Sequence, residues 1–93
     1  MQPLTDPGTE AGRVDLLMRE RAFWMWLTSH RLGDQRRLMR QYGRTQAGAG
    51  FPTGTYFKGG SYGTHVSVLV PFDELNNPQF RDAFPNGCDP TVP

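Results

Sequence analysis

The sequence predicts a small α+β fold: an N-terminal α-hairpin, a β-hairpin and a short C-terminal helix, flanked by extended, proline-rich arms. Three observations carry this expectation. Apolar residues recur at helical spacing from Val14 to Leu32. A stretch rich in β-branched and aromatic residues, Thr55 to Val70, is interrupted by Gly-Gly and Tyr-Gly steps. Eleven glycines and eight prolines in 93 residues break up the rest. A chain of this length fits one domain, burying roughly 60–65% of its unfolded surface. Its expected parts are an arm (1–9), a helical hairpin (10–44), a β-hairpin (54–70), a short helix (78–84) and a tail (85–93).

The first stretch, "MQPLTDPGTEAG" (residues 1–12), holds little to bury, and Asp6 before Pro7 resembles a helix cap with proline in the first turn. Gly8 and Gly12 argue for a later start, so the first helix is expected over 10–32, stopped by Gly33. Asp34 then caps a second helix that ends at Gly43, with Leu38 and Tyr42 on one face. "TQAGAGFPTG", residues 45–54, reads as a linker or a close-approach loop. Thr55–Lys58 and Thr64–Val70 read as paired strands, with Val66, Val68 and Val70 facing one side. Asp73 marks one further helix start and the Asn77-Pro78 step another, the latter bringing Phe80 and Phe84 onto one face.

The first helix poses a problem of its own. Phe23, Trp24, Met25, Trp26 and Leu27 are an unbroken bulky run holding both tryptophans of the chain. A surface helix normally shows one apolar stripe and one wet face. Trp24 and Trp26 lie about 160° apart around a helix axis, so a domain this small cannot bury both equally. We therefore expect one of them, Trp24, against the hairpin valines, and the other exposed as an interface anchor. Phe23, Trp24, Trp26 and Arg31 are the candidate partner-binding residues, because tryptophan and arginine are common interface anchors.

Charge is uneven although the net charge is only +1. Residues 12–44 carry eight arginines against Asp15, Glu20 and Asp34, a local +5, while 64–93 carry Arg81 against Asp73, Glu74, Asp82 and Asp89, a local −3. The arginine-rich second helix followed by a hairpin has the order of a helix-turn-helix with a wing. That order makes nucleic-acid binding through Arg36, Arg37, Arg40 and Arg44 the alternative function. Against it stand the near-neutral total charge and the presence of only two helices before the hairpin.

Chemistry is sparsely provided. One cysteine (Cys88) and two histidines without ligand spacing argue against a zinc site. The glycine-rich 48–60 stretch lacks the Gly-Lys-Ser/Thr of a phosphate loop. Asp73 and Glu74, being adjacent, diverge in either secondary structure and form no acid–base pair. No enzyme activity, cofactor or metal is expected. No leader pattern or membrane-spanning run shows, so the chain reads as cytoplasmic, or as part of a virion, without a membrane partner. The expected function is non-catalytic protein–protein interaction, by self-association or with another protein. The chain would serve as a small accessory or structural subunit of a larger assembly, a viral or phage particle being one setting, or as a small protein inhibitor.

Overall fold

The computed structural model describes residues 2–93, which group into two compact units, one up to Asp34 and one from Gln35 to Pro93. Four helices follow in order: α1 (Glu10–Trp24), α2 (Arg31–Arg40), α3 (Phe72–Leu75) and α4 (Pro78–Ala83). Helix accounts for 38% of the chain and strand for 2%, and no sheet forms among the described residues. The expected α+β fold is thereby overturned: the 54–70 β-hairpin is absent.

In the first unit, α1 starts at Thr9, whose hydroxyl accepts the Gly12 N–H. Asp6 is not the cap. Its carboxylate instead receives Arg13 through two bonds of 2.9 and 3.0 Å and the Gly8 N–H at 2.9 Å. These contacts hold the Asp6 carboxyl below the usual carboxylate range. The helix stops at Trp24, well short of the expected end at Leu32. Residues 25–29 form turns, and Leu27 and Ser29 adopt left-handed backbone (φ 61° and 63°). Gly33, expected to end α1, lies inside α2, and Asp34 lies there too rather than capping it. Met18 is the buried apolar side chain of this unit.

In the second unit, the remainder of α2 buries Leu38, and the chain leaves the helix through Gly43 at φ 63° with Arg44 N–H bonded to the Leu38 carbonyl. The 45–54 stretch is no slack linker. Ala49 N–H bonds to Thr45 O, Phe51 N–H bonds to Gln46 O, and the Ala49 methyl is buried.

The expected hairpin shrinks to one bridge, Thr55 with Ser61. Tyr62 N–H bonds to Gly54 O and Tyr56 N–H to Gly60 O, with Gly59 and Gly60 both left-handed at the tip. The loop has therefore closed by Tyr62, before the apolar run of the supposed second strand begins. That run finds a different acceptor: Val66 N–H and Ser67 N–H both bond to the Pro90 carbonyl, at 2.8 and 3.2 Å. A proline accepts but has no N–H to return, so no ladder propagates from it. Without a strand the valines no longer alternate. Val66 is buried, whereas Val68 is exposed. Beyond Pro71, α3 is a single turn. α4 begins at Asn77, whose side chain accepts the Gln79 N–H, with Pro78 in the first turn and the Phe80 and Phe84 rings 5.3 Å apart.

Candidate functional site

The aromatic run places four large apolar side chains, consecutive but for Met25, in solvent. Phe23 is 67% exposed, Trp24 71%, Trp26 74% and Leu27 82%. The expectation that Trp24 sits in a core against hairpin valines is corrected: those valines form no strand, and both indoles stand in solvent. Of the cations, Arg19 lies over the Phe23 ring, 6.0 Å from its centroid.

Local bonding explains the exposure. Met25 N–H closes the last turn of α1 on Arg21 O, Trp26 N–H reaches Phe23 O, and Thr28 bonds back to the Met25 carbonyl through both its N–H and its hydroxyl. The Thr28 hydroxyl also meets His30 Nδ1 at 2.9 Å, and Asp34 N–H bonds to His30 O, starting the next helix. The turn satisfies its backbone internally. Its large side chains are thus free to point outward. A left-handed leucine nevertheless costs roughly 1–2 kcal/mol, so Leu27 is held there against its own preference. Such strained residues cluster at functional turns.

Beneath this tip is one buried polar contact. Arg21 donates to Asp34 in a two-pronged pair, Nε to Oδ2 at 2.9 Å and Nη2 to Oδ1 at 3.0 Å. Asp34 is only 6% exposed, and its bonds hold the Arg21 guanidinium above its ordinary value. The pair locks the angle at which the chain turns from α1 into the first turn of α2. Ala22, Met25, Trp26 and Leu27 line a cleft of about 670 Å³ together with Arg21 and Asp34, and His30 and Arg31 border the same space.

Of the residues singled out from sequence, Phe23, Trp24 and Trp26 thus share the end of α1 and its turn, and Arg31 joins Trp26 at the cleft. Leu27 was not among them, although it is the most exposed of the group. Neither was the Arg21–Asp34 pair, because no local pattern signals a contact between residues thirteen apart. The arginines of the nucleic-acid alternative lie on or just beyond α2. Arg37 and Arg40 are exposed, Arg36 and Arg44 are half-buried, and the buried Arg36 Nε has no hydrogen-bond partner. The wing that this alternative requires does not form.

No group of three His, Cys, Asp or Glu side chains among the described residues is placed to hold a metal ion, and Cys88 is a free, exposed thiol. No described helix is long and apolar enough to cross a membrane. Compared with protein-family models, curated proteins and solved structures, the chain matches none.

Proposed function

We propose that this chain is a non-catalytic protein–protein interaction module, a small accessory or structural subunit that docks through the tip formed by Phe23, Trp24, Trp26 and Leu27. The exposure of these four side chains carries the reading. Three aromatic rings exposed to this extent, with one leucine, offer on the order of 500 Å² of apolar surface. That is at the upper end of what a monomer leaves uncovered without a use for it. The two-pronged Arg21–Asp34 pair supports the reading, because it preorganises the turn and lowers the ordering cost of docking. Arg31 adds a cation beside the apolar patch, as interface anchors commonly have.

The test is photo-crosslinking of the intact chain in the cells that make it. A photo-reactive phenylalanine analogue replaces Phe23 in one variant and the exposed Gln41 in a control. A discrete protein adduct is expected from position 23 and not from 41. Trp24→Ala or Trp26→Ala in the same chain should remove that adduct, since loss of an anchor weakens a complex by about 2 kcal/mol or more. Absence of any adduct from position 23 would refute the reading. Retention on duplex DNA or RNA at low salt, lost on changing Arg36, Arg37 and Arg40 to Glu, would move the function to α2 instead.

A further inference from the structure

Resting on that docking reading, we infer that the partner at the tip is a second copy of this chain, whose acidic Phe72–Leu75 turn seats in the cleft behind Trp26. The two surfaces complement each other in both apolar and charged character. The cleft is lined by Ala22, Met25, Trp26 and Leu27. Its one carboxylate, Asp34, is fully engaged by Arg21, whereas Arg31 forms no ion pair among the described residues. The vacant charge at the cleft is therefore positive.

Helix α3 presents the converse. Phe72 is 77% exposed and Leu75 44%, and residues three apart share a helix face. Asp73 and Glu74 lie between them, both exposed; among the described residues neither is ion-paired, and Glu74 accepts a bond from the Asn77 amide. No cation occurs between Lys58 and Arg81, so this turn is uniformly acidic. Two carboxylates between an apolar pair match an apolar cleft bordered by an arginine with no ion pair among the described residues. Since every copy carries one cleft and one acidic turn, the contact is met either reciprocally in a two-fold pair or head-to-tail in a ring or filament.

Light scattering across a concentration series of the intact chain tests this. The parent's mass should rise with concentration from that of a monomer to that of a dimer or beyond. Arg31→Glu should weaken association by about tenfold or more, and so should the double change Asp73→Arg with Glu74→Arg, because each places like charges in contact. All three positions are exposed, and circular dichroism verifies that each variant keeps its helices. An equimolar mixture of the two variants is the decisive arm. There, each reversed cleft meets a reversed turn and each native cleft a native turn, so association should return to near the parent's level.

Failure of the mixture to recover, or variants that associate like the parent, would overturn the proposal. So would a parent that stays monomeric throughout, whether or not it co-sediments with vesicles of phosphatidylcholine and phosphatidylserine. In that event, a Phe23 adduct to a different protein would leave the docking reading standing, and absence of any adduct would end both.

Discussion

The unit up to Asp34 and the unit from Gln35 onward meet their backbone hydrogen-bonding requirements by different routes. The first is mostly helix, whose N–H and carbonyl groups pair within the segment. It needs little else: one hydroxyl cap at Thr9, one buried methionine and two ion pairs, Asp6–Arg13 and Arg21–Asp34. The second is mostly turns, and there side-chain amides stand in for a ladder. Gln35 Nε2 donates to Gly50 O at 2.8 Å, Gln46 Nε2 donates to Gly63 O at 2.9 Å, and the Pro90 carbonyl collects Val66, Ser67 and the Ser67 hydroxyl. The contrast bears on function. A self-satisfied helical turn gathers four large apolar side chains into one solvent-facing run, whereas the loop network leaves its exposed apolar residues, Phe57 and Val68 among them, scattered along the chain.

The comparison breaks most visibly at Met18. Its change to Ala removes the buried apolar side chain of the first unit and should cost about 2–5 kcal/mol, read as lost amide protection along α1. Protection equal to the parent's would mean that α1 does not depend on that contact. Next in size is Arg21→Met, which strands the buried Asp34 carboxylate without its partner. A loss of about 2–3 kcal/mol is expected, measured as a lower thermal midpoint by circular dichroism. An unchanged midpoint would show that the pair contributes nothing to the turn.

Gln46→Ala probes the other unit. Its lost bond joins an exposed carbonyl that water can satisfy, so about 1 kcal/mol is expected. The effect should appear as faster exchange in the segment its amide ties, around residues 52–63. A global loss of structure would place far more weight on this glutamine than the comparison allows.

Smaller still is the acid response of Asp6. Its carboxyl is held below the ordinary value by Arg13 and the Gly8 N–H, so the contacts favour the fold above the unfolded value, near 4. They are lost as pH falls through the lower, folded value. The Gly8 amide resonance should therefore stay constant from neutrality down to about pH 4 and move only below it. Movement at higher pH would contradict the Asp6–Arg13 geometry.

How much of this was legible in the sequence depended on the range of the interaction. The Asn77-Pro78 start of α4 and the left-handed Gly43 after α2 are local chemistry, and they stand where the residues place them. So does the unusual character of the 23–27 run, visible as bulk on every side of a helix. The β-hairpin was not legible. Thr64–Val70 has strand-like composition, but a strand needs a partner, and here the loop closes by Tyr62 and Pro90 supplies only an acceptor. The early stop of α1 was missed for a similar reason. Gly33 offered a plausible local ending, while the actual one depends on Thr28 bonding to Met25 and on Arg21 reaching Asp34. The candidate site was thus half visible: its anchors could be read off, but the cleft beside them could not.

The account rests on two tryptophans lying in solvent in the monomer, and iodide quenching measures that directly. Trp24→Phe and Trp26→Phe each leave a single indole, read at a dilution where light scattering finds only monomer. Both reporters should be quenched nearly as readily as a free indole, and both variants should melt within about 0.5 kcal/mol of the parent, as surface changes do. Two shielded indoles in a monomer, each of whose changes lowers the melting point, would make the aromatic run a core and contradict the account.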